Sequence, residues 1–421
     1  LFTTVLLIMG SCIPRFRLVQ KMTDKINRVA RENLTGINVV HAFNAEEFQN
    51  EKFDGPSRGM MDLQMKNQKL FALVQPSMSL GMNGLALAIY WVGAALVNSI
   101  AVTDMAARLT MFSEVLVFST YATYIVMSFM MLAMIFMLLP QAQVSAERIN
   151  EVLDETVDIT DGPSDAVVED GSVDFEDVCF SYSGDPDKLA LRHITVHINS
   201  GEAIGIIGGT GEGKSTLVNL IPRFYDTLSG TVRVGGRDVR DYTLEHLRDG
   251  VSMVLQNGAL FSGTIAQNLR WGNANATQEQ LREACAIACA DEFIDRFPDG
   301  YETVLEQNAA NLSGGQKQRL RIARAIVKQP KILILDDSTS AVDMATDEHI
   351  RRALKTAMPG STKIIIAQRI ASILSCDRII VLHEGELSDV GTHAELMERS
   401  QIYRDVYDSQ MREEGEQHGQ S

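Results

Sequence analysis

Two stretches of the chain, residues 70–103 and 115–146, contain no charged residue. Each exceeds the roughly 20 apolar residues that cross a ~30 Å hydrocarbon layer, so the pattern predicts two membrane helices. They fall at about 77–99 and 112–139. A buried helix of a soluble protein is the alternative, and the length argues against it. The connection between the spans is short and nearly neutral, with Asp104 and Arg108, whereas residues 15–69 are rich in lysine and arginine. The longer, basic side is therefore expected to be cytoplasmic. Residues 1–13 read as the tail of a further membrane helix. Beyond residue 170 there are short apolar, strand-like runs, 203–207 and 332–335, and an amphipathic stretch, 217–225.

At the first of those runs stands Gly208-Gly209-Thr210-Gly211-Glu212-Gly213-Lys214-Ser215-Thr216. Glycines let the backbone curl so that successive N–H groups face phosphate oxygens, Lys214 adds positive charge, and the Ser215 hydroxyl suits Mg²⁺. The helix that follows offers its positive N-terminus to the same anion. A purely structural glycine turn is the competing reading. About a hundred residues later comes Leu312-Ser313-Gly314-Gly315-Gln316-Lys317-Gln318-Arg319. Ser313 and Gln316 have the spacing of a helix capping box, and the two glycines leave N–H donors open to an external anion. The apolar run 332–335 ends in Asp336-Asp337.

The phosphate loop, the Ser313–Gln316 signature and the aspartate pair, in that order, resemble the ATP-binding cassette (ABC) family. The fold this implies is an all-α transmembrane helical domain followed by an α/β P-loop NTPase cassette, with a parallel RecA-like core sheet, an antiparallel β subdomain and a helical subdomain. Carried over by position, Tyr182 resembles the aromatic that stacks on adenine, and Gln256 the glutamine that reaches Mg²⁺ and the attacking water. Asp336 would hold Mg²⁺ through its water shell, with Ser215 and Gln256 as further ligands. Asp343, in Ser340-Ala341-Val342-Asp343, resembles the loop that touches a second cassette. The implied cofactors are ATP and Mg²⁺. The implied partners are a second half-transporter, membrane lipid and a transported solute.

Two positions depart from the family pattern. Asp337 stands where glutamate is expected, and Gln368 where histidine is expected. Aspartate is shorter by one methylene, about 1.5 Å of reach. A displacement of about 1 Å can cost a hundredfold in rate, so slow turnover is expected at this site. Glutamine can donate a hydrogen bond but cannot become cationic or shuttle a proton. Together the departures resemble the degenerate half of heterodimeric exporters, in which each ATP lies between one chain's phosphate loop and the other's signature. This chain's intact Ser313-Gly314-Gly315-Gln316 would then complete the partner's competent site. A homodimeric exporter with slow sites and a regulatory subunit with negligible turnover stay open.

Matched to exporter half-transporters, residues 1–150 would be a partial membrane domain, from the end of a fourth helix through the second intracellular loop to the fifth and sixth helices. Residues 35–47 resemble that loop, whose short coupling helix docks on the partner cassette, with an ordinary amphipathic cytosolic helix as the alternative. Residues 151–172 read as a linker, 173–408 as the cassette and 409–421 as a disordered tail. The expected location is the plasma membrane, multi-pass, with the cassette in the cytoplasm.

Charge sharpens the division. The chain carries 38 Lys/Arg against 54 Asp/Glu, of which residues 1–150 hold only twelve and ten, so the acidic excess belongs to the cassette. That balance argues against a nucleic-acid partner, which requires clustered basic charge. Cysteines 12, 179, 285, 289 and 376 lack paired metal spacing and read as reduced thiols. In the second span, Met127, Met130, Met131, Met134 and Met137 cluster with Phe129 and Phe136, as lipid-facing or packing residues or as an adaptable apolar cavity. Glu114 is a candidate substrate or proton contact, or a solvated interface residue.

Overall fold

The computed structural model describes residues 2–256, 258–337 and 342–418, and the chain divides into two compact units, 1–156 and 157–421. In the first unit, α1 (Phe2–Thr35), α2 (Ile37–Ala42) and α3 (Glu46–Phe71) are followed by α4 (Val74–Ser99) and α5 (Met105–Leu153). Thr23 meets Met60, and Glu32 meets Lys52 at 2.7 Å, so α1 and α3 run antiparallel. Helices α4 and α5 are antiparallel too: Ser119 bonds Tyr90, and a side chain added at Gly93 would lie 2.6 Å from Val115 Cγ1. Their tight turn is held by Arg108, which donates to the Ile100 carbonyl at 2.9 and 3.1 Å, and by Asp104, the N-cap of α5.

Apolar side chains along both helices face outward, Trp91 being 77% and Phe118 64% exposed. That is the opposite of a soluble core helix and is what lipid contact requires. The expected spans lie within α4 and α5. Helix α5 is a single 49-residue element, about 74 Å long, so it continues well past the hydrocarbon layer. Met127, Met131, Met134 and Phe129 are exposed, while the side chains of Met130, Met137 and Phe136 lie outside those described. Within the stretch likened to a coupling helix, α2 forms one short turn of helix whose Val39 is exposed, and Phe43 follows it exposed at 80%.

The second unit opens with β1 (Val173–Phe180), β2 (Leu191–Ile198) and β3 (Ala203–Ile207), then α6 (Lys214–Asn219), β4 (Ser229–Val234) and β5 (Arg237–Asp238). There follow α7 (Leu244–Gly250), β6 (Val251–Val254), β7 (Gly263–Thr264), α8 (Ile265–Arg270), α9 (Gln278–Ile287), α10 (Asp291–Ile294) and β8 (Val304–Leu305). The chain continues through α11 (Gly314–Val327), β9 (Ile332–Asp336), α12 (Met344–Ala357), β10 (Thr362–Ile366), β11 (Arg378–His383), β12 (Glu386–Gly391), α13 (His393–Arg399) and α14 (Gln401–His418). An antiparallel sheet of order β2-β1-β4-β5 and a six-stranded sheet of order β12-β11-β3-β10-β9-β6 share one apolar core. A second core joins the helical segment α8–α11 to the other face of the larger sheet. This is the expected cassette: parallel core sheet, antiparallel β subdomain and helical subdomain.

Two boundaries differ from the sequence reading. The stretch read as a linker is bound to the cassette from Thr160 onward: Arg223 donates to the Thr160 carbonyl, Gly162 N–H to Tyr242 O, and Thr362 Oγ1 to Gly171 O. Gly162 fits because a side chain there would lie 2.3 Å from the Arg240 carbonyl. The polar tail read as disordered from Ser409 continues α14 through His418, since its Arg, Glu and Gln are good helix formers.

Candidate functional site

Four strands of the large sheet, β6, β9, β10 and β3, run parallel and in register: Val254 pairs with Leu335, Leu335 with Ile365, and Ile365 with Gly205. Their carboxyl ends therefore reach one edge together, and the loops leaving that edge carry the residues of interest. In open α/β sheets that edge is where ligands bind.

From β3 comes the phosphate loop. Gly208 and Gly209 lead to Thr210, exposed at the tip; Gly211 and Gly213 take φ of 87° and 89°, the left-handed region open to glycine at no steric cost. Lys214 Nζ donates to the carbonyls of Gly208 at 2.8 Å and Gly209 at 2.5 Å, so the ammonium lies inside the curl of the loop. Burial pulls the Lys214 pKa down, opposed by the carboxylates of Glu212, Asp336 and Asp337. Glu212 accepts from Gly209 N–H at 2.8 Å and meets His383 Nδ1 at 3.1 Å, bracing the loop against β11. Thr216 is buried, and its hydroxyl lies 3.0 Å from that of Tyr182. The Tyr182 ring is 59% exposed and packs edge-on against Phe180 and Tyr225.

From β9 come the two aspartates. Ser215 Oγ donates to Asp336 Oδ1 at 3.1 Å, joining the phosphate loop to β9. Asp336 is only 5% exposed, and burial pushes its pKa up. Asp337, at φ 46°, is also raised by burial; its Oδ2 accepts from Gln256 Nε2 at 3.1 Å and from Gln368 Nε2 at 2.7 Å. Gln256 follows β6 and Gln368 follows β10. Both raised carboxylates cost the fold stability at neutral pH, a cost relieved as pH falls through their folded-state pKa. A buried carboxylate with a hydroxyl beside it, next to a lysine-lined glycine loop, is a donor set that fits a magnesium triphosphate.

The structure thus brings together residues 208–216, Asp336, Asp337, Gln256 and Gln368, with Tyr182 at the margin. Elsewhere, Ser313 Oγ accepts from Gln316 N–H while Gln316 Oε1 accepts from Ser313 N–H, so the capping box closes on itself at the start of α11. Gly314 and Gly315 form the first turn, and no hydrogen bond joins this signature to the phosphate loop among the described residues. Asp343 caps α12 by accepting from Thr346 N–H, which holds its carboxyl below the usual range; Ser340 and Ala341 lie outside the described residues. Sequence reasoning passed over His383 and Gln410, which hold the Glu212 carboxylate and the Gln368 backbone. Neither belongs to a motif, and Gln410 falls in the tail read as disordered. Cys179, Cys285 and Cys289 are buried free thiols, Cys285 pushed up to about 12 by burial, and no metal-binding cluster of His, Cys, Asp and Glu occurs among the described residues.

Residues 191–340 match the ABC transporter family model, and residues 2–129 match that of the ABC transporter transmembrane region. The ABC transporter ATP-binding protein YfiB of Bacillus subtilis is 37% identical over 400 residues, covering 95% of this chain and 68% of that protein. An ATP-dependent lipid A-core flippase of Desulfotalea psychrophila is 34% identical over 400 residues, covering 93% of this chain and 67% of that one. The structure of a bacterial Atm1-family ABC exporter with ATP bound superposes with a TM-score of 0.80 at 28% identity, covering 97% of this chain and 72% of the exporter. With a helical membrane unit preceding a cassette whose strand ends gather the phosphate loop and its acidic partners, the chain belongs to the ABC transporter family, as a multi-pass exporter with fused membrane and ATP-binding domains.

Proposed function

We propose that this chain is the ATP-binding and permease subunit of an exporter whose own site holds Mg²⁺–ATP but hydrolyses it slowly, and whose signature serves a partner half-transporter. The observation that carries the reading is the state of Asp337. A base must reach its water, yet this shortened carboxylate has Oδ2 engaged by two amide donors, Gln256 and Gln368. Neither glutamine can take up the proton that a histidine would.

In this reading the loop N–H groups of 208–216 and Lys214 hold the triphosphate, Tyr182 supports the adenine, and Ser215, Asp336 and Gln256 hold Mg²⁺. The metal, when bound, neutralises charge developing between the β- and γ-phosphates. Asp337 and Gln368 orient the attacking water without efficient proton removal. Ser313, Gly314, Gly315 and Gln316 present α11's first turn to the partner's ATP, with Asp343 near the contact between cassettes. ATP-driven closure of the two cassettes moves a solute outward through the paired membrane domains.

The test is single-turnover ATP hydrolysis by the full-length protein in lipid, alone and with a second half-transporter bearing glutamate and histidine at the matching positions. Fast turnover only in the mixture is expected. Comparable turnover by this protein alone would replace the asymmetric reading with a homodimeric exporter.

A pH effect follows from Asp336. Metal binding needs an ionised Asp336, and burial raises its pKa, so protons compete with Mg²⁺ at higher pH than at an exposed aspartate. As pH falls toward the raised pKa of Asp336, the Mg²⁺ concentration for half-maximal ATP binding should rise. A titration that does not move with pH would count against Asp336 as the metal's anchor.

A further inference from the structure

The loop that carries Gln368 is held by a side chain 42 residues further along the chain. Gln410, on α14, donates from Nε2 to the Gln368 carbonyl at 2.7 Å, and its Oε1 accepts from Ile370 N–H at 2.7 Å. One amide side chain thus does for residues 368–370 what a neighbouring strand would do, satisfying the acceptor and donor on either side of Arg369. Among the described residues the segment has no ladder partner: β10 ends at Ile366, and a 3-10 turn begins at Ile370.

Both ends of this bridge are firmly placed. Ile370 and Ile373 are buried in the core beneath the loop. At the other end α14 is anchored by Tyr403, fully buried, whose hydroxyl lies 2.8 Å from His393 Nδ1, and by Val406 and Tyr407 packed on the same core. Gln410 lies one to two turns beyond these anchors, so its amide is presented from a fixed helix. The chain of contacts then runs from α14 through the Gln410 amide and the Gln368 backbone to Gln368 Nε2, which donates to Asp337 Oδ2 at 2.7 Å.

We propose that Gln410 is a positioning residue of the ATP site: it sets the Gln368 backbone so that the Gln368 amide meets Asp337, and it makes α14 a working part of the nucleotide site. The inference rests on the proposed reading of Gln368 as a residue that, with Asp337, orients the attacking water. An amide is suited to the task because it offers a donor and an acceptor side by side; glutamate offers two acceptors, and methionine offers no conventional donor.

The experiment is a double-mutant cycle on the full-length protein in lipid, read by the single-turnover rate of ATP hydrolysis at this chain's own site and by the ATP concentration that half-saturates it. Gln410→Ala is expected to lower the rate about tenfold, with half-saturation changed less than about twofold. Gln410→Met keeps the length and packing of the side chain, so a similar loss there assigns the effect to the lost amide rather than to a damaged helix. Gln410→Glu leaves an acceptor for Ile370 N–H and turns a carboxylate toward the Gln368 carbonyl, so the loss persists. Combined with Gln368→Ala, Gln410→Ala should add almost nothing, because both act through one side chain. Hydrogen exchange at Ile370 N–H should quicken in Gln410→Ala.

Full additivity with Gln368→Ala would make Gln410 an ordinary stabilising contact and overturn the proposal. So would unchanged rates in Gln410→Ala and Gln410→Met. If Gln368→Ala alone leaves hydrolysis unchanged, the reading of Gln368 falls and this inference with it. Loss in Gln368→Ala without loss in Gln410→Ala removes this inference only.

Discussion

Ser313→Arg should reduce the ATPase of the complete two-chain assembly by about a hundredfold or more, whereas Asp337→Asn should change it by less than about threefold. The contrast is large because the two residues would serve different ATP molecules. Ser313 is the N-cap of α11, bonded to Gln316 N–H, and the first-turn N–H groups beside it are the donors offered outward. Loss of the cap costs about 1 kcal/mol in helix stability. The larger penalty comes from placing a long, bulky cation where those donors would meet a phosphate. Asp337 sits in the site already read as slow, so neutralising it removes little total turnover. Steady-state phosphate release from both variants in lipid decides the matter. Equal severe losses would sink the asymmetric model.

Lys214→Ala should weaken ATP binding to this chain's own site by about 30- to 100-fold, the loss expected when charge-assisted bonds to a phosphate are removed. In the structure this ammonium bonds the carbonyls of Gly208 and Gly209, so it also closes the loop that would receive the anion. Its burial costs the charged form, a cost offset by Glu212, Asp336 and Asp337 and one that a triphosphate would offset further. Equilibrium binding of labelled ATP in the cold, where hydrolysis is negligible, measures the effect directly. An affinity within threefold of the unaltered protein would remove Lys214 from the role assigned to it. Arginine is a poor rescue here, since its planar fork replaces a compact charge surrounded by loop carbonyls.

The membrane spans were legible because a lipid layer imposes a simple condition, a long run without charge, and 70–103 and 115–146 meet it. The length of α5 was not legible: residues 147–153 carry Glu147, Arg148 and Glu151, which end the apolar pattern without ending the helix. Helix formation needs only backbone bonds and compatible side chains, and charged residues satisfy that condition in water. The attachment of the linker stretch to the cassette was not legible for a related reason. Gly162 and Pro163 are loop-forming residues, but a loop can still be bonded to a folded surface, as Gly162 is to Tyr242.

The sequence by itself determined the local devices of this protein: the glycine loop 208–213 with Lys214 and Ser215 after it, the Ser313–Gln316 box whose two bonds close within four residues, and the adjacent aspartates ending an apolar strand. Such features depend on neighbours in the chain, so spacing suffices to reveal them. Only the tertiary structure decided which of these devices share a site. Gln256 and Gln368 reach Asp337 from 81 and 31 residues away because parallel strands in register end at one edge, and Gln410 reaches the Gln368 loop because α14 is pinned by Tyr403. Those placements follow from sheet order and core packing, which join distant segments through contacts that sequence spacing does not encode.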